Sequence, residues 1–177
     1  SVAMSADGTR VAIGAPGADF GSGHVRIFDW DGSTWTQAGS DIDAEASNDQ
    51  SGFSVAMSAD GTRVAIGAPE NGGNGSSAGH VRVFDWDADT STWNQVGSDI
   101  DGEAEGDDFG NSVAMSADGM RIAIGADLND GNGEDSGHVR VFDWDADTST
   151  WNQAGSDIDG EAEGDNSGDS VAMSADG

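Results

Sequence analysis

SVAMSADGTRVAIGA, Ser1 to Ala15, decides how this chain folds. Two short apolar runs flank Asp7-Gly8, a dipeptide suited to a tight hairpin because it accommodates positive φ. A two-residue type I′ loop there sets the register. Met4 then faces Val11, Val2 faces Ile13, Ala3 faces Ala12 and Ser1 faces Gly14. One face of the hairpin is bulky and the other small. A hairpin wetted on one face alternates apolar with polar residues, whereas VAIGA is a nearly unbroken apolar run, as in strands covered on both sides.

The same stretch returns. SVAMSADG begins at Ser1, Ser54, Ser112 and Ser170, with spacings of 53, 58 and 58 residues. The length differences fall between IGA and the next Gly-His, and in the turn after FDW. A fixed period with insertions confined to loops marks a repeat architecture. The boundaries are residues 1–53, 54–111 and 112–169, with 170–177 as the first strand of a fourth repeat. The second and third repeats differ only at Val96 and Ala154 between Gly79–Asp107 and Gly137–Asp165, which points to a recent duplication.

Each repeat reads as four strands. Strand A is SVAMS, and strand B is TRVAIGA at Thr9 and Thr62 or MRIAIGA at Met120. Strand C is HVRIFDW at His24 or HVRVFDW at His80 and His138, and strand D begins near Trp35, Trp93 and Trp151. A symmetric C–D turn would set Phe28 opposite Trp35, Phe84 opposite Trp93 and Phe142 opposite Trp151. The linker to the next strand A is acidic with one apolar anchor (Ile42, Ile100, Ile158). No helical periodicity appears. Stacking such sheets, bulky face on small face, buries both sides without changing the sequence. The expected class is therefore all-β: tandem four-stranded antiparallel sheets, the blades of a β-propeller. Three blades and one extra strand make an incomplete arc, since closed propellers use about four to eight blades. The chain is read as an excerpt of a longer array, with a six-bladed dimer as a further arrangement.

FGNSVAMS at Phe109 followed by IAIGAD at Ile122 resembles the FG-GAP repeats of integrin α-chain propellers. Gly-Ala-Pro is intact at Gly14-Ala15-Pro16 and Gly67-Ala68-Pro69 and becomes Gly125-Ala126-Asp127 in the third copy. Phe-Gly is intact only at Phe109-Gly110, with Ser51-Gly52 and Ser167-Gly168 elsewhere. The resemblance implies a propeller and, in many members, calcium bound by an aspartate-rich loop between the first two strands. Here that loop is cut to Ala-Asp-Gly, too short for a cage of six to eight oxygens. No calcium ligand carries over to any residue.

The charge bounds the partners. Against 34 Asp and Glu stand 6 arginines and no lysine, for a net charge of −28. Such a surface repels nucleic acid and anionic lipid, and no apolar run is long enough to insert in a membrane. Without cysteine there is neither a disulfide framework nor a thiol metal site.

Candidate chemistry is thin. His24, His80 and His138 share one repeat position, which suits a structural hydrogen bond better than a single catalytic base. The arginines fall at two positions, Arg10, Arg63 and Arg121 on strand B and Arg26, Arg82 and Arg140 on strand C, where carboxylates are expected to pair with them. Asp99, Asp101 and Glu103 alternate as if to gather oxygens, as do Asp85 and Asp87, but the glycine of a calcium loop is missing from the latter. The segment from Asp127 to Ser136 lacks the calcium-loop order as well. DGSTW at Asp31 resembles the aspartate box of sialidase-type propellers but has the wrong spacing. No catalytic, cofactor or metal residue is assigned, and the chain is expected not to be an enzyme. Weak surface calcium binding stays open. The expected function is an interaction or adhesion module of an extracellular or cell-surface repeat protein, taking an unidentified protein or glycan ligand. The alternative is a structural spacer array in a large acidic repeat protein.

Overall fold

The computed structural model describes residues 1–177. The first sheet contains β1 (Val2–Met4), β2 (Arg10–Ala15), β3 (His24–Trp30), β4 (Trp35–Gln37) and β5 (Ile42–Asp43). The second contains β6 (Ser54–Met57), β7 (Arg63–Ala68), β8 (His80–Asp87), β9 (Thr92–Gln95) and β10 (Ile100–Asp101). The third contains β11 (Ser112–Met115), β12 (Arg121–Ala126), β13 (His138–Asp145), β14 (Thr150–Gln153) and β15 (Ile158–Asp159). All strand pairings are antiparallel. In each sheet the expected fourth strand is broken in two. β4 pairs with the far half of β3 and β5 with its near half, His24 and Val25. A brief turn, Ala18–Gly21, is the one helix-like element, and Asp19 and Phe20 within it are left-handed (φ 50° and 61°).

The hairpin register is as the sequence predicts: Val2 opposite Ile13, Ala3 opposite Ala12, Met4 opposite Val11. The turn chemistry differs. Of the Asp7-Gly8 pair only Gly8 has positive φ (74°), so the turn is not type I′. The Gly8 N–H donates to Ser5 O, and the Asp7 carboxylate accepts the Ser5 and Thr9 hydroxyls and the Thr9 N–H. Those donors hold Asp7 below the ordinary carboxylate pKa, the Thr9 backbone N–H contributing most.

The aromatic pairing is corrected too. Trp35 faces Trp30 rather than Phe28, Trp93 faces Trp86 rather than Phe84, and Trp151 faces Trp144 rather than Phe142. The phenylalanines instead face Gln37, Gln95 and Gln153. The reason is a tight C–D loop: Asp31 caps it by accepting the Ser33 and Thr34 N–H groups. The two extra residues of the longer copies do not lengthen the loop. They add one more strand pair, Asp87 with Thr92 and Asp145 with Thr150.

The sheets nest by unlike faces. One apolar cluster joins Ala12, Val25, Ile27, Ala38 and Ile42 of the first sheet to Val55, Val64, Ile66 and Phe84 of the second, with Ala3 and Met57 at its margin. The next joins Ala65, Val81, Val83 and Ile100 of the second sheet to Ile122, Ile124 and Phe142 of the third. Met57 and Val64 are cross-strand neighbours on one face, as the stacking requires. On the first sheet the bulky face is uncovered, leaving Val2, Met4 and Ile13 exposed. Ile158, the third copy of the buried Ile42 anchor, is exposed on the opposite end.

Arginine–tryptophan contacts bind the outer edge of each interface. Arg10 is paired bidentately with Asp29 of its own sheet, donates to Gly61 O of the next, and lies over the Trp86 ring at 5.0 Å. Arg63 repeats this with Asp85, Gly119 O and Trp144. Trp93 and Trp151 donate their Nε1–H groups back to Ala38 O and Val96 O of the preceding sheets. Residues 170–177 pair with no strand. They still occupy the place of a strand A: Ala175 O accepts the Ala117 N–H, just as Ala117 O accepts that of Ala59.

Candidate functional site: an acidic cleft between blades

The antiparallel meander puts the B–C loops and the inter-repeat linkers at one end of the stack and the A–B and C–D turns at the other. The B–C loops vary most in sequence, so the variable surface is gathered on one face. Between the first and second sheets that face holds a cleft of about 650 Å³. Glu45 and Asp49 come to it from the linker, Glu70 and Asn71 from the B–C loop, His80 from β8, Asp99 from just before β10 and Asp101 from β10 itself. One of its lining residues is hydrophobic, so the cleft suits a polar or cationic ligand.

At its base lies His80, 2 % exposed. Burial, aided by the neighbouring Arg82 charge, lowers the His80 pKa, so the ring is neutral near pH 7. Its Nδ1 lies 4.0 Å from Glu45 Oε2, while the other oxygen of Glu45 faces Arg82 at 3.8 Å. Ligand atoms of Glu45, His80 and Asp99 all lie within 4.8 Å of one another, and the same holds for Glu103, His138 and Asp157 at the next interface. A third group, His24 with Asp41 and Asp43, takes both carboxylates from its own sheet.

These histidines do not make the structural hydrogen bond expected of them. No imidazole takes part in a hydrogen bond, and the buried Nε2 atoms of His24 and His138 have no partner. Glu45 was missed as a partner of His80 because it comes from the preceding repeat, and Asp99 because it stands far along the same one, beyond β9. The usable signal was that Glu103 and Asp157 stand at the same sequence distances from His138.

The other sequence candidates are dispersed. Asp99, Asp101 and Glu103 do not converge: Asp99 goes to the His80 group and Glu103 to that of His138. Asp85 is taken by Arg63, and Asp87 accepts the Asp89 and Thr90 N–H groups of its turn. In the Asp127–Ser136 segment, Asn129 and Asp130 accept backbone N–H groups from Gly131 and Asp135. The arginine pairing holds as expected: Arg10, Arg63 and Arg121 each bind an aspartate of their own sheet, while Arg82 and Arg140 face Glu45 and Glu103 across the interfaces. Arg26 lies over Phe28, 6.0 Å from its centroid.

A second acidic group lies at the rim between the second and third sheets. Burial, then Glu70, Asp127 and Asp107, push the Asp108 carboxyl up to about 6.

Nested, lopsided, antiparallel sheets with their loops on one face define an arc of β-propeller blades. The chain belongs to the FG-GAP repeat family, whose profile matches residues 41–84 and 98–142. Among solved structures, a candidate 6-phosphogluconolactonase from Bacteroides uniformis superposes with a TM-score of 0.63 at 14 % identity over 89 % of this chain and 39 % of that one. The periplasmic gluconolactonase of Pseudomonas aeruginosa gives 0.55 at 18 % identity over 92 % and 39 %. Hydrazine synthase of Kuenenia stuttgartiensis gives 0.52 at 16 % over 91 % and 37 %. The chain thus spans about two fifths of the length of these structures, and identities this low show the fold alone. No curated protein matches significantly in sequence.

One expectation is overturned by these likenesses. The chain was expected not to be an enzyme, for want of a catalytic motif. Its structural neighbours carry lactonase names on the same architecture, so the missing motif does not exclude an activity.

Proposed function

We propose that this FG-GAP propeller segment is an interaction module of a cell-surface or extracellular repeat protein, engaging a polar protein or glycan ligand through its loop face. The observation that carries the reading is the gathering of the variable B–C loops on one face, the second of them lining the acidic cleft, on a core whose strands barely vary. Phe20 adds to it: a phenylalanine fully exposed at a loop tip, on left-handed backbone that disfavours it. The acidic lining favours cationic groups on the ligand, so binding should weaken as salt rises.

The test is retention on a glycan array and on a panel of basic extracellular proteins. Replacing residues 17–23, 70–79 and 128–137 by glycine-serine should abolish any retention, and Phe20→Ala should reduce it. Retention indifferent to all three replacements, or none on either panel, would favour the spacer array.

A further inference from the structure

We infer that the two blade interfaces each hold a first-row divalent metal ion, with zinc as the reference cation, on Glu45–His80–Asp99 and Glu103–His138–Asp157. The inference goes beyond ligand binding at the loop face and holds whether or not a partner engages there.

Three observations converge. The ligand atoms in each group lie within 4.8 Å of one another. Donors around a tetrahedral zinc, each at about 2.0–2.2 Å, stand roughly 3.3–3.5 Å apart. The 4.0 Å from His80 Nδ1 to Glu45 Oε2 therefore needs only a small closing movement, and the Glu45 side chain, 46 % exposed, is free to make it.

The second observation is the histidine itself. His80 and His138 are 2 % and 1 % exposed, and the His80 Nδ1 that faces Glu45 is 4.0 Å from it, beyond hydrogen-bond distance. Buried polar groups are nearly always satisfied, so such a ring calls for a specific partner. A carboxylate-flanked imidazole suits zinc or its first-row neighbours, whereas calcium prefers oxygen ligands alone.

The third is the arrangement around the carboxylates. Arg82 approaches Oε1 of Glu45 while Oε2 points at His80. Arg82 thus lies beside one oxygen of Glu45 and leaves the other towards His80, as outer partners of metal ligands commonly do. Arg140 stands between Glu103 and Asp157, 3.7 Å from each. Two carboxylates against one arginine leave each group net negative. The glutamate comes from one repeat, and the histidine and aspartate from the next, so a bound ion would tie neighbouring blades. The His24 group lacks such a glutamate and is expected to bind more weakly.

The test is calorimetric titration of the chelator-treated chain with zinc chloride and, separately, calcium chloride, at neutral pH and 150 mM salt, with thermal melts alongside. Two zinc ions should bind at least tenfold more tightly than calcium, and zinc should raise Tm. Histidine variants risk misfolding, so Glu45→Gln and Glu103→Gln are the primary probes, each removing one tight zinc equivalent while leaving the metal-free melt unchanged. His80→Asn and His138→Asn should do the same if they fold. Zinc binding no tighter than calcium, or undiminished in the double glutamine variant, would mean diffuse binding to surface carboxylates and would overturn the inference.

Discussion

Gly67 of β7 and Gly110, at the end of the second repeat where the chain enters the third sheet, meet so closely that a Cβ on Gly67 would run into the Gly110 carbonyl oxygen. The same carbonyl accepts the Ser54 hydroxyl at 2.7 Å, while the Gly110 N–H donates to Gly125 O of the third sheet. This contact gives the motif residues a mechanical meaning: the glycine of a blade's Gly-Ala-Pro leaves room for the glycine of the Phe-Gly that leads into the next sheet. Gly67→Ala should therefore destabilise by about 1–3 kcal/mol or prevent folding. Gly17→Ala is the control, since it has open space and an ordinary φ of −84°. Chemical denaturation of the two variants makes the comparison.

Arg63 joins a bidentate aspartate, a carbonyl of the next blade and a tryptophan face, and a lysine can reproduce only part of that. Arg63→Lys should cost about 1–3 kcal/mol in urea unfolding. Arg121→Lys should cost less, because the Arg121 side chain is 40 % exposed and lies over no tryptophan ring.

Phe109 is fully buried, edge-on to Phe142 and capped by Arg140. Phe109→Ala should lose about 3–5 kcal/mol. A loss below 1 kcal/mol in denaturant melts would mean that the second interface does not depend on this anchor, although serine fills the same position at Ser51 and Ser167.

Asp108 sets a pH dependence. Its folded carboxyl titrates at about 6, against 3.8 for an ordinary aspartate. Between those values the folded chain holds a proton that the unfolded chain has released. Its stabilising contribution is thus full below about pH 4, is lost as pH rises towards 6, and leaves the ionised group disfavoured by burial and by Glu70, Asp127 and Asp107 at pH 7. Asp108→Asn should raise Tm at pH 7.5 and raise it less at pH 4.5. Asparagine tolerates the left-handed backbone here (φ 54°), as Asn166 does at the same place in the third repeat. Equal shifts at both pH values would contradict this account.

The fold was legible because its strongest constraint is local. Hairpin register follows from the spacing of Val2, Met4, Val11 and Ile13, and register fixes which face is bulky. Turn type was less legible, since Asp7 competes for the backbone through its side chain rather than through its φ. The tryptophan pairing failed for a similar reason: Asp31 and Asp87 tie the C–D loop short, and no apolar pattern reports on that. The cleft was out of reach. Glu45 is brought to His80 and Asp99 only by blade stacking, and in a chain this acidic no single carboxylate stands out.

The nesting of unlike faces has a genetic corollary. Because the second blade presents nearly the same bulky side to its predecessor as the third does, excision of residues 54–111 would rejoin the first blade to a partner it already fits. Recombination between such similar tracts can then change the number of units in an array while every junction keeps its chemistry, so length is free to drift between close relatives.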